Sequence, residues 1–196
     1  IATVTWTSQL NNNNNAQLSF TVSDGEAGDV VDTVAITVNA VQDLPTAADF
    51  TVTVNEDNSH VFVASEFGYT DVDGDTMVSA TLQAASAGTL WVDSDSSGAV
   101  NGGEAAVANG DTVSLANLAK LTWAPAANAN GATYATFTFT VNDGTGNSAS
   151  SYTSTLAVTA VNDAPANAGD TATVTEDVAY NSWTAATDWG YSDVDG

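Results

Sequence analysis

Residues 134–142 read YATFTFTVN, and the fold turns on how that stretch is read. Ala135, Phe137, Phe139 and Val141 fall on one side of an extended chain, while Tyr134, Thr136, Thr138 and Thr140 fall on the other. A period of two in aromatic and β-branched residues marks a half-buried strand. Working outward, the same alternation recurs at 50–54, 60–63, 78–82, 90–92, 120–123 and 155–161, which makes about seven strands in this part of the chain. Helical periodicity is almost absent. Clusters of Gly, Asn, Asp and Ser separate the strands at the spacing of a Greek-key sandwich. The expected fold is therefore all-β, with tandem Greek-key β-sandwich domains arranged end to end and Phe62, Phe67, Trp91, Trp123 and Phe139 in the core.

The strands belong to a repeat. VQDLP at 41–45 returns as VNDAP at 161–165, and Glu56 and Asp57 return as Glu176 and Asp177, both 120 positions on. FGYTDVDG ending at Gly74 returns as WGYSDVDG ending at Gly196, a shift of 122 that absorbs two extra residues. Upstream, IATVTW ending at Trp6 matches LAKLTW ending at Trp123, and SFTVSDG ending at Gly25 matches TFTVNDG ending at Gly144. A fixed period of this length signals stacked structural units. Residues 43–162 form one complete sandwich repeat, 1–42 the C-terminal part of a preceding one, and 163–196 the N-terminal part of a following one. The two partial repeats together lack the equivalent of 75–117, which argues against neighbouring chains completing each other's sandwich.

Composition limits the partners. Lys120 is the sole Lys or Arg against 24 Asp plus Glu, for a formal charge of -23. Such a surface repels phosphate, which excludes nucleic acid, and it repels anionic membranes for the same reason. No run of apolar residues is long enough for membrane insertion. With 43% apolar residues the chain still carries enough hydrophobic surface for a packed core. It has no cysteine, so no disulfide reinforces that core. Divalent metal is the cross-link the composition leaves.

The sharpest local motif is DSDSSGAVNGGE at 93–104, which fits the twelve-residue calcium loop D-x-D-x-S-G-x5-E. Asp93, Asp95 and Ser97 alternate so that their oxygens converge, Gly98 permits the sharp turn, and Ala99 offers its carbonyl. Asn101 is positioned for a bridging water and Glu104 closes the shell. Together they approach the roughly six to eight oxygen ligands that Ca2+ takes. The flanks are strand and loop, so this is an EF-like loop in a β scaffold.

A second constellation recurs at the repeat boundary. It comprises Asp24, Asp43, Glu56, Asp57, Asp71, Asp73 and Asp75, and its copy comprises Asp143, Asp163, Glu176, Asp177, Asp193 and Asp195. If strands run the length of a sandwich, the loop bearing Asp24 or Asp143 lies at the base of one domain, and the Glu56 and Asp71 loops crown the next. So many carboxylates without a basic partner repel one another strongly. A cation between the domains resolves the conflict.

These motifs together resemble the bacterial cadherin-like and immunoglobulin-like tandem repeats of large calcium-binding extracellular adhesins. The resemblance rests on the VNDAP linker, the Glu-Asp pair about ten residues later, FGYTDVDGD, TWAPAANANG and FTFTVNDG, and it covers essentially the whole chain. It implies calcium at the junctions, type I secretion from Gram-negative cells, an extracellular or cell-surface location, and roles in cell adhesion, biofilm or filament formation. By motif match the junction ligands are Asp43, Glu56, Asp71 and Asp73, and again Asp163, Glu176, Asp193 and Asp195. The departures are Gln42 where the second linker has Asn162, and Leu44 where it has Ala164. The partners implied are adjacent repeats of the same chain, other copies in a fibre, and a glycan or surface receptor.

Catalysis finds no support in the residues. The carboxylates recur as structural sites do, and His60, the one histidine, sits in a strand beside Val61 and Phe62, with Tyr180 as its counterpart. There is no nucleophile elbow or phosphate loop. The expected function is a calcium-stiffened spacer or filament building block, not an enzyme. The alternative is a carbohydrate- or ligand-binding sandwich, with Trp183 in the two-residue insertion as its stacking residue. The Asn-rich run 11–15 aligns with the loop 126–131 and reads as a turn.

Overall fold

Between residues 50 and 159 the alternation becomes eight strands in two sheets. The computed structural model describes residues 4–26, 28–167, 173–179 and 190–195. In chain order the elements are β1 (Ala16–Val22), β2 (Val30–Ile36), β3 (Phe50–Asn55), β4 (His60–Val61), a 3-10 turn (Ala64–Phe67), β5 (Ser79–Leu82), β6 (Thr89–Val92), β7 (Asp111–Ser114), α1 (Leu115–Leu118), β8 (Leu121–Ala124), β9 (Gly131–Asn142), β10 (Tyr152–Thr159), β11 (Ala166–Asn167) and β12 (Tyr191–Ser192).

One sheet has the order β3-β10-β9-β5-β7 and the other β4-β8-β6. The two pack as an Ig-like β-sandwich. The inward rows meet between them: Ala135, Phe137, Phe139 and Val141 of β9 and Leu156 and Val158 of β10 against Phe62, Leu90, Leu121 and Trp123. Phe62 and Phe137 meet edge-on with ring centroids 5.6 Å apart, and Phe67 and Phe139 do so at 4.9 Å, the geometry aromatic quadrupoles favour. Of the expected core residues, Trp91 is the exception. It is buried, but it lies outside the inter-sheet cluster.

Two elements were not legible as period-two strands. DTVS of β7 carries one buried side chain, Val113, so its alternation is too short to stand out. It runs directly into the single turn α1, whose Leu118 plugs the core.

One pairing governs everything that follows. β3 lies parallel to β10, with Phe50 opposite Ser154 and Asn55 opposite Thr159. The chain therefore enters β3 at the end where β9 finishes and β10 begins, and leaves it at the end where β10 finishes. Six extended residues separate those ends by roughly 17 Å.

Upstream, β1 and β2 pair from Ala16–Ile36 to Val22–Val30. Ala16, Leu18, Phe20 and Val22 correspond to the core row of β9, 119 positions later. Phe20 nonetheless keeps 39% of its surface exposed whereas Phe139 keeps 1%. The difference is the second sheet, which packs over β9 and has no counterpart over β1 among the described residues.

Candidate metal centres

Three groups of carboxylates converge among the described residues, each with one oxygen per residue within 4.8 Å of the others: Asp93, Asp95 and Glu104; Asp71, Asp73 and Asp75; and Glu56, Asp163 and Asp195.

The first is the EF-like loop. Asp93 extends the β6 ladder through its N–H to the Lys120 carbonyl at 2.9 Å, which anchors the loop to a rigid strand end. The chain then turns back through left-handed backbone at Ser96 (φ 60°) and Gly98 (φ 75°). Ser97 N–H donates to both Asp93 Oδ1 and Asp95 Oδ1 at 3.0 Å, and Gly98 N–H donates to Asp93 Oδ2 at 2.9 Å. Glu104 reaches back across the loop, its Oε1 accepting from Ser94 N–H and Ser94 Oγ at 2.6 and 2.7 Å. Hydrogen bonds from Ser97 hold Asp95 below the usual carboxylate range, and those from Ser94 do the same for Glu104. Asp95 and Glu104 therefore stay ionised at neutral pH. Of the further expected ligands, Ser97 Oγ donates to the Ala99 carbonyl at 2.9 Å and accepts from Asn101 Nδ2 at 2.7 Å, which gathers all three within the loop. Sequence reasoning missed Ser94, whose position in the motif is unspecified.

The second group lies where the chain enters the sandwich. Asp71 Oδ1 accepts from the N–H groups of Asp73 and Asp75 at 2.8 and 3.1 Å, which curls DVDGD into a nest, while Asp71 Oδ2 is buried and has no partner. The linker docks here. Asp43 N–H donates to Asp73 Oδ2 at 2.7 Å, and the Gln42 side-chain amide donates to Asp75 Oδ2. Tyr69 hydroxyl donates to the Asp75 carbonyl at 2.9 Å. Burial, and then the charges of Asp71, Asp143 and Asp75, push its phenol up.

The third group lies at the opposite end, where β10 leaves the sandwich. Glu56 is 3% exposed; its N–H bonds the Thr159 carbonyl at 2.9 Å and its Oε1 accepts from Val161 N–H. Asp163 N–H donates to Asp195 Oδ2 at 2.6 Å, as Asp43 N–H does to Asp73. Asp163 Oδ2 is buried without a partner. Its pKa is raised, first by burial and then by the charges of Asp195, Asp57, Glu56 and Asp193.

This geometry corrects the expected grouping. Glu56 and Asp71 do not crown the same junction, because the parallel pairing of β3 with β10 carries Glu56 to the exit end. Asp143 does not accompany Asp163 either. It follows β9, which ends at the entry, beside Tyr69 and the Asp71 group. There its carboxylate is satisfied locally by Thr145 and Gly146 N–H at 2.6 and 2.8 Å, and hydrogen bonding, chiefly from Gly146, holds its pKa down.

The remaining candidates supply none of the converging oxygens of the three groups, although Asp57 and Asp193 lie close enough to Asp163 to raise its pKa. Asp24 accepts from Glu26 N–H at 3.0 Å in an exposed turn. Asp57, in left-handed backbone at φ 60°, accepts from Asn128 N–H at 3.0 Å and so clips two exit-end loops together. Glu176 and Asp177 are exposed, with Asp177 repeating the left-handed backbone of Asp57. Asp193 Oδ1 caps Asp195 N–H at 2.9 Å. Tyr180 and Trp183 lie outside the described residues. His60 pairs through Nε2 with Glu66 at 3.0 Å, and Glu66 also accepts from Val63 N–H, which accounts for both as local structure.

No helix among the described residues is long and apolar enough to cross a membrane. The sequence model of the family described as bacterial Ig domain matches residues 42–159. No curated protein matches the chain significantly.

Proposed function

The chain belongs to the bacterial Ig domain family, generally an extracellular repeat module, and from that premise we propose that it is a calcium-stiffened spacer or filament unit of a large surface adhesin. The observation that carries this reading is Asp163. Its Oδ2 is buried and unpartnered in a group whose other members, Glu56 and Asp195, come from either side of the linker. A buried carboxylate oxygen facing other carboxylates is costly, and natural structures leave few such atoms unsatisfied. Asp71 Oδ2 supports the same reading at the entry end.

The donors are all hard oxygens, the set that suits calcium. Glu56, Asp163 and Asp195 would hold one ion, Asp71, Asp73 and Asp75 a second, and Asp93, Asp95 and Glu104 a third. The ion supplies the positive charge that the Glu56 and Asp71 groups lack, since Lys120, the chain's one Lys or Arg, reaches the Ser94 carbonyl of the Asp93 loop instead. Extracellular modules bind calcium with dissociation constants of about 0.1 to 1 mM. Such sites fill outside the cell and stay empty in the cytosol, so the chain stiffens on export.

Small-angle scattering and thermal melts in calcium chloride and in chelator test this directly. The expected result is a longer, stiffer particle with a higher Tm in calcium. Superimposable scattering profiles and melts would sink the reading.

A further inference from the structure

At the exit end, Glu56 and Asp57 form a turn that fills a receptacle. Glu56 N–H donates to the Thr159 carbonyl at 2.9 Å, the Glu56 carboxylate accepts from Val161 N–H, and Asp57 accepts from Asn128 N–H at 3.0 Å. Asp163 and Asp195 converge on Glu56. The repeat gives each of these groups a counterpart at the entry end: Asn39 for Thr159, Val41 for Val161, Asn11 for Asn128, Asp43 for Asp163 and Asp73 for Asp195. All five counterparts line a cleft of about 520 Å³. Its backbone has the form of the filled receptacle. Asn11 lies at φ 55° and Asn128 at 56°, and Asn12 N–H bonds the Gln9 carbonyl at 3.2 Å as Ala129 N–H bonds that of Ala126. What differs is the occupant. Among the described residues no Glu-Asp turn enters this cleft, and the Asn39 carbonyl and the N–H groups of Asn11 and Val41 have no hydrogen-bond partner.

The strand beside the cleft is open as well. β10 carries β3 on the edge away from β9, while the same edge of β2, away from β1, is unpaired among the described residues. An open edge is a template for another strand. The chain presents the matching turn elsewhere, within residues 173–179. Asp177 lies at φ 64° where Asp57 lies at 60°, and Val178 N–H bonds the Thr175 carbonyl at 3.3 Å as Asn58 N–H bonds that of Asn55. Glu176 and Asp177 are exposed.

We propose that the Glu176-Asp177 turn of one copy of this chain docks in the Asn11-Val41 cleft of a second copy, with residues 173–175 running parallel to 37–39 as 53–55 run parallel to 157–159. Glu176 then joins Asp43 and Asp73 of the second copy and completes a three-carboxylate group. This rests on the reading of such groups as cation sites, because three carboxylates repel one another without an ion. The missing counterpart of 75–117 prevents a full sandwich, but the bonds that seat Glu56 and Asp57 run to Asn128, Thr159 and Val161 and not to that segment. Turn and cleft are different surfaces, so the contact is heterologous, and repeated head to tail it builds an open filament.

The test is sedimentation of the whole chain over a range of concentrations, in calcium chloride and in chelator, with calorimetric calcium titration alongside. The wild type should form concentration-dependent oligomers in calcium and return to monomers in chelator. Glu176→Gln spoils the turn and Val41→Pro removes the N–H that would receive it; each should weaken association by at least about tenfold. Val41 lies outside the 43–162 sandwich and Glu176 is exposed, so an unchanged Tm verifies that both variants fold. Mixed in equal amounts, the two variants retain one intact turn and one intact cleft between them, and should give heterodimers and nothing longer. A wild type that binds calcium but stays monomeric refutes the docking while the cation reading stands, and leaves the cleft to a turn of the preceding repeat. If no calcium binds, both fall together. Oligomers that persist in both variants place the contact elsewhere and refute the proposal.

Discussion

Asp163 concentrates the junction's electrostatics in one side chain, and its sign depends on the ion. Burial and the surrounding carboxylates raise its pKa in the folded chain above the unfolded value. A raised pKa means that the folded state binds more protons, so the contribution to stability is present below the ordinary aspartate range and is lost as pH rises through the folded value. Asp163→Asn removes that penalty. In chelator at neutral pH the variant should melt at or above the wild type, and in calcium below it; a lower Tm in both would contradict the assignment. Asp95, Glu104 and Asp143 are held low by hydrogen bonds, so their contribution is present above the ordinary carboxylate range and is lost as pH falls through their depressed values. At Gly88 the backbone conformation and two close neighbours act together. At φ 69° a Cβ would stand 2.4 Å from the Ala124 carbonyl oxygen and 2.8 Å from Trp123 Nε1. Gly88→Ala should cost at least about 2 kcal/mol in denaturant unfolding, since the left-handed strain and the clash add.

Equal sequence patterns acquire unequal energies in the strands. Phe20 and Phe139 occupy matching places in SFTV and TFTV, but only Phe139 is sealed between sheets. Phe139→Ala should cost about 3 to 5 kcal/mol of unfolding free energy, whereas Phe20→Ala, half-exposed, should stay near 1 kcal/mol or below. Chemical denaturation of both variants checks the contrast. The same comparison shows what a sequence makes legible. Alternation in β9 and the bulk of Phe62, Phe67 and Trp123 announced the strands and their core. Alternation names two faces without saying what covers each, which is why Trp91 reads as core although it lies outside the inter-sheet cluster. Local motifs were legible too, because a carboxylate nest such as Asp71, Asp73 and Asp75 needs only neighbours in the chain. Grouping across the sandwich was not. Whether Glu56 meets Asp71 or Asp163 depends on β3 pairing parallel to β10, a long-range choice that no residue near Glu56 encodes.

At the scale of the whole chain, a net charge of -23 raises the question of whether calcium acts as a general counter-ion or as a fitted ligand. Self-repulsion extends and destabilises any chain so acidic, and simple salt relieves it. The Debye length falls to about 3 Å in 1 M salt, so sodium chloride at that strength screens exposed carboxylates nearly as well as millimolar calcium neutralises them. Screening cannot supply a partner to Asp71 Oδ2 or Asp163 Oδ2, because both oxygens are shielded from solvent and its ions. Magnesium carries the same charge but demands tight octahedral geometry and keeps its waters, which a set of three carboxylates around a buried oxygen accommodates poorly. Thermal melts in chelator with 1 M sodium chloride, in 5 mM magnesium chloride and in 5 mM calcium chloride should therefore rank calcium well above the other two. Scattering should show the stiff particle in calcium alone. Equal Tm values and equal dimensions in all three would mean that the clusters merely tolerate charge, and that the sandwich owes its rigidity to its linkers rather than to ions bridging them.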